Sequence, residues 1–133
     1  MSYVIDASAA AEYLLRTELG VRIEGIISGA ALFAPELLDA EIVAILRRGV
    51  FRKVLPEERA QFAVNDLVTW PLERIPHRQL VEAAWHYRDN VSAYDAFYVA
   101  AAEKLGFALL TADGPLSRAP IPGIGIVNVR LES

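Results

Sequence analysis

The sequence predicts an α/β fold, a mainly parallel sheet covered by helices on both faces. Short β-prone apolar runs alternate with helical segments along the chain, the order that right-handed βαβ units generate. At 133 residues, 54% hydrophobic and 23% charged, the composition is globular, with length for one core rather than two. No linker, internal repeat or low-complexity segment interrupts the alternation, so residues 1–133 read as a single domain.

YVID at 3–6 is the first expected strand, and SAAAEYLLRT directly after it is helix-forming. Residues 19–29 form a second expected helix, with Val21, Ile23, Ile26 and Ile27 apolar and Gly29 at its end. ALFAP at 31–35 is a short strand stopped by Pro35. Residues 36–53 then make a long amphipathic helix whose stripe is Leu38, Ile42, Ile45, Leu46 and Gly49. Pro56, Glu57 and Glu58 start another helix, which runs to about Trp70. LERI at 72–75 is a brief strand between prolines, and 77–88 returns to helix. After a break at 90–92, residues 93–105 form a nearly all-apolar helix ended by Gly106, which predicts central packing. FALLTA at 107–112 and GIVNV at 125–129 complete the strands.

The absence of cysteine removes disulfides, thiolate metal sites and cysteine nucleophiles, and it suits a reducing cytosol. No apolar run approaches the roughly 20 residues that span a bilayer. MSYVIDASAA has no basic region ahead of an apolar one, so a cytoplasmic location is expected. The formal charge of −4 argues against a phosphate-rich partner, but the charge is unevenly placed. Arg47, Arg48, Arg52, Lys53 and Arg59 fall in one short stretch, and nucleic acid stays open on charge alone.

Open parallel sheets bind ligands beyond the carboxyl ends of their strands. Asp6 ends the first strand there and Asp113 follows LLTA, although helix capping and ordinary turn chemistry also account for these two. Glu41 lies within the apolar stripe of its helix, where a carboxylate loses hydration unless a cation or donor compensates. A salt bridge to an arginine, or a long side chain bending to the rim, is the other reading. Asp95 completes S-x-x-D with Ser92, a capping-box pattern, and the apolar helix behind it would bring that first turn to the same edge.

Taken together, these four carboxylates can converge at one rim, which is unfavourable without a cation because like charges raise one another's pKa. Mg²⁺ or Mn²⁺ relieves that cost, suits oxygen ligands, activates water and stabilises charge on a phosphate. Ser8 and Thr111 are candidate hydroxyl partners for a carboxylate or a bound water. His77 and His86, nine positions apart, are no metal pair and read as surface or boundary residues. No G-x-S-x-G, H-E-x-x-H or Walker A pattern occurs, and Gly123-Ile124-Gly125 is a turn rather than a phosphate cradle. A receiver domain would want an acidic pair after the first strand, and a haloacid-type phosphatase a D-x-D in which Ser8 here replaces the second acid.

VIDASA at 4–9, PELLDAEIVAILRR at 35–48, SAYDAFYVAAAEKLG at 92–106 and LLTADGPL at 109–116 together resemble the PIN domain, and more narrowly the VapC-type toxins of toxin–antitoxin pairs. The four blocks are in register and span nearly the whole chain. The resemblance implies a three-layer α/β/α sandwich and Mg²⁺- or Mn²⁺-dependent cleavage of RNA by metal-activated water. It assigns Asp6, Glu41, Asp95 and Asp113 as catalytic metal ligands, with Thr111 at the family's frequent hydroxyl position two residues before the last acid. It also implies a homodimer and a cognate antitoxin, with Arg47, Arg48, Arg52 and Lys53 available to RNA or antitoxin; a solvated helix face is the other reading of that basic group. The sequence departs from the family's E-x-x-N pattern at Ala44, which removes one expected hydrogen-bonding support. A PIN-like domain that binds metal or antitoxin without cutting is the competing reading.

Overall fold

The computed structural model describes residues 1–131, so the last two residues of the domain expected at 1–133 lie outside the described residues. All five expected strands form: β1 (Ser2–Ile5), β2 (Ala31–Pro35), β3 (Glu73–Ile75), β4 (Ala108–Thr111) and β5 (Ile126–Asn128). Between them lie α1 (Ala7–Leu15), α2 (Glu18–Ile27), α3 (Leu37–Phe51), α4 (Glu57–Thr69), α5 (Val81–His86), α6 (Ala93–Leu105) and α7 (Gly114–Ser117). The sheet order is β3-β2-β1-β4-β5, and every pairing is parallel. The chain therefore winds off β1 in both directions, and the switch point lies between β1 and β4. Ile5 pairs with Leu110 there, and the Asp6 amide donates to the Leu110 carbonyl at 3.0 Å, so the ladder carries one residue past the end of β1.

Central position explains burial. Val4, Ile5, Leu109 and Leu110 are fully buried because helices cover both faces of these strands. The apolar α6 packs on β1, β2 and β4, with Ala96, Tyr98 and 99–102 buried. The Ser92 hydroxyl caps it by accepting from the Asp95 amide at 3.3 Å, and Gly106, at φ 72°, closes it in the left-handed region that favours glycine. On the other face α1 and α2 cross so closely that a Cβ on Gly20 would stand 2.0 Å from the Glu12 carbonyl oxygen.

Two elements differ from expectation. Residues 77–88 are not one helix: a 3₁₀ turn at His77–Gln79 precedes α5. The break lets His77 serve the start of α3 twice, its amide donating to Glu36 Oε1 at 3.1 Å and its Nε2 accepting from the Leu37 amide at 2.8 Å. His77 is half-buried and His86 exposed, as boundary and surface residues are. The four-residue α7 was not anticipated, because its Gly-Pro start reads locally as a turn. Among the described residues no helix is long and apolar enough to cross a membrane.

Candidate active site

Asp6 is the centre of the site. It sits immediately beyond β1 with only 4% of its surface exposed, where burial of a charge is costly without donors. The fold supplies three. Ser8 Oγ donates to Oδ1 at 2.7 Å, the Ala9 amide donates to the same oxygen at 3.0 Å, and the Thr111 hydroxyl donates to Oδ2. Asp6 thus caps α1 and also binds the end of β4. The hydroxyls are themselves held: Ser8 Oγ accepts from the Ala112 amide at 2.9 Å and lies 3.3 Å from Thr111 Oγ1, which accepts from the Asp113 amide at 3.0 Å. Burial still outweighs these donors and, with a further push from Asp95, carries the Asp6 carboxyl from 3.8 up to about 6.

The other three acids come from separate elements. Glu41, half-buried on α3, takes a hydrogen bond at 2.6 Å from the Tyr98 hydroxyl of α6. Loss of solvent raises its carboxyl, the Tyr98 bond lowers it and the charge of Asp95 raises it again. Asp95, in the first turn of α6, is raised by burial, lowered by the Ser92 hydroxyl and raised by Asp113. Asp113 holds the N-cap position of α7, and its side chain makes no capping bond. The electrostatic couplings run Asp6 to Asp95, Glu41 to Asp95 and Asp95 to Asp113, which places Asp95 at the hub. The salt bridge considered for Glu41 is absent among the described residues.

The acids are electrostatically coupled without being closed on one point. Among the described residues no three of the His, Cys, Asp and Glu side chains are grouped as a set that could hold a metal ion. Both oxygens of Asp6 are engaged with donors.

Tyr98 is the residue that sequence reading missed. It is 1% exposed and lies three positions after Asp95, hence on the same face of α6. A buried tyrosine hydroxyl requires a partner, and that requirement was the available signal. Ala44, in contrast, is exposed. Glu41 Oε1 takes its support from Tyr98 instead of from the position where the family pattern carries asparagine. Arg47, Arg48, Arg52 and Lys53 are exposed and form no ion pair with the acids among the described residues; Arg47 lies 4.3 Å over the Phe51 ring.

A doubly wound parallel sheet with coupled carboxylates at its switch point defines an α/β protein with an acidic site at the carboxyl edge. Residues 3–122 match the PIN domain model. Ribonuclease VapC1 of Mycobacterium tuberculosis is 39% identical over 119 residues, covering 88% of this chain and 90% of that protein. Ribonuclease VapC9 of the same species is 40% identical over 114 residues, 86% of this chain and 87% of that one. A toxin–antitoxin complex from Klebsiella pneumoniae contains a chain of the same fold, with TM-score 0.64 and 14% identity over 96% of this chain and 97% of that one. The chain belongs to the PIN domain family, among the VapC ribonucleases.

Proposed function

We propose that this protein is an endoribonuclease acting as the toxin of a toxin–antitoxin pair, and that Asp6, Glu41, Asp95 and Asp113 form its catalytic, metal-holding site. The observation that carries this reading is the mutual coupling of carboxylates from β1, α3, α6 and the end of β4, with Asp95 at the hub. Folding brings like charges together at a net cost, and such arrangements belong to sites that bind a compensating cation. The donor set fits one: it is all oxygen, which suits Mg²⁺ or Mn²⁺ rather than a softer ion. When bound, such an ion supplies positive charge beside the scissile phosphate and lowers the pKa of a coordinated water.

The chain's own residues do the rest. Ser8 and Thr111 orient Asp6 and stabilise its ionised form. Asp95 from α6, Asp113 from the turn before α7 and Glu41 from α3 would supply the further carboxylates. The exposed Arg47, Arg48, Arg52 and Lys53 are the candidate contacts for an RNA backbone or for the antitoxin, by charge complementarity. The partners belonging to this reading are RNA, a cognate antitoxin and a second copy of the chain. The location is the cytoplasm, and residues 1–133 act as one domain. The VapC names of the relatives and the toxin–antitoxin neighbour support the assignment.

The test is to sequence RNA 5′ ends after induced expression of the wild type beside Asp6→Asn. New ends are expected only with the wild type. No new ends from either protein, or the same ends from both, would sink the proposal and favour a PIN-like domain that binds without cutting.

A further inference from the structure

Tyr98 has no role in the reaction as described, yet it is the only buried hydroxyl among the described residues that reaches Glu41. Its environment explains why the bond is firm. Tyr98 stands in the most buried stretch of α6, between Phe97 and Val99, with 1% of its surface exposed. The hydroxyl has no solvent to turn to and donates at 2.6 Å to Oε1 of a carboxylate, the short length typical of a charge-assisted bond. Burial raises the phenol, and hydrogen bonding to Glu41 raises it further.

The acceptor's side matters more. Glutamate has three side-chain torsions, and ordering so long a side chain gives up rotamer freedom. Glu41 lies on the middle turns of α3, and the bond to Tyr98 ties its tip to another helix. Because only Oε1 is used, Oε2 makes no hydrogen bond or ion pair among the described residues. Since Tyr98 and Asp95 share one face of α6, the helix that contributes the hub acid also positions a second acid from across the sheet edge.

We infer that Tyr98 is a positioning residue, one that fixes Glu41 with Oε2 presented as a divalent-cation ligand. The inference rests on the metal-holding reading of the acidic site and adds to it the residue that prearranges one ligand. Outer hydrogen bonds of this kind change metal affinity by about 10- to 100-fold when removed. It also accounts for Ala44: with Glu41 tied across to α6, α3 needs no donor of its own one turn later.

The experiment is calorimetric titration of Mn²⁺ into the full chain as wild type, Tyr98→Phe and Val99→Ala. Phenylalanine keeps the ring in place and removes only the donor. Val99→Ala loosens the same buried helix at a fully buried residue and leaves the Tyr98 hydroxyl in place. Tyr98→Phe is expected to bind Mn²⁺ about tenfold more weakly, while Val99→Ala keeps wild-type affinity. Wild-type affinity in Tyr98→Phe overturns the inference, as does an equal loss in Val99→Ala, which would mark a general loosening. A wild type that binds no Mn²⁺ fails differently, taking down the reading of the acidic site itself.

Discussion

At the scale of the residue, Asp6 shows the conflict between stability and function most directly. Its folded carboxyl titrates at about 6 against an ordinary 3.8, because burial outweighs three hydrogen bonds. The folded protein therefore holds the proton more tightly than the unfolded chain does. Stability falls as pH rises from about 4 to about 6, and the full penalty is present above that. The two-unit difference corresponds to about 3 kcal/mol before any bonds lost on substitution are deducted. Asp6→Asn keeps an acceptor for Ser8 and Ala9 and presents an amide to Thr111. It is expected to stabilise the fold by roughly 1–3 kcal/mol at about pH 7.5, with the gain vanishing at about pH 4. Urea unfolding at the two pH values measures this. A variant less stable than wild type at the higher pH would show that the donors outweigh burial after all.

At the scale of the element, close packing separates two glycines that look alike in sequence. Both Gly20 and Gly25 lie in α2. A Cβ on Gly20 would meet the Glu12 carbonyl oxygen at 2.0 Å, a backbone atom that cannot swing aside, whereas a Cβ on Gly25 meets nothing within 4 Å. Gly20→Ala must push α1 and α2 apart, and overpacking of this kind costs about 1–3 kcal/mol. Gly25→Ala, exposed within a helix, is expected to gain about 0.5–1 kcal/mol. Thermal melts should thus move in opposite directions. A shift of the same sign in both would mean that α1 and α2 are not packed as described. The same contrast marks what was legible from the residues. Periodicity and punctuation located the strands and nearly all the helices, because apolar patterning and caps such as Ser92 and Gly106 are local signals. The split at 77–88 was not legible, since it depends on His77 reaching across to α3, and α7 was hidden by a turn-like Gly-Pro. In the site, Asp6, Glu41, Asp95 and Asp113 stood out as acids at strand ends, helix starts or an apolar face. Tyr98 did not, because its significance is a contact with a residue 57 positions away.

At the scale of the whole molecule, folding, protonation and metal binding draw on the same carboxylates. An ion that binds the folded chain and not the unfolded one stabilises by about 2.7 kcal/mol when present at 100 times its dissociation constant. For a chain of this length that is a rise in Tm of roughly 10 °C. Mn²⁺ is accordingly expected to raise the melting temperature of the wild type and to do little for Asp95→Asn, which removes the charge coupled to Asp6, Glu41 and Asp113 alike. Metal ligation requires ionised carboxylates, and Asp6 holds its proton up to about 6. The rise should therefore be largest at mildly alkaline pH and shrink as pH falls below about 6, opposite to the trend in stability of the metal-free chain. Differential scanning calorimetry across that range, with and without Mn²⁺, separates the two slopes. An equal rise in wild type and Asp95→Asn, or one indifferent to pH, would mean that the ion acts on the surface at large and that the coupled acids are not where it binds.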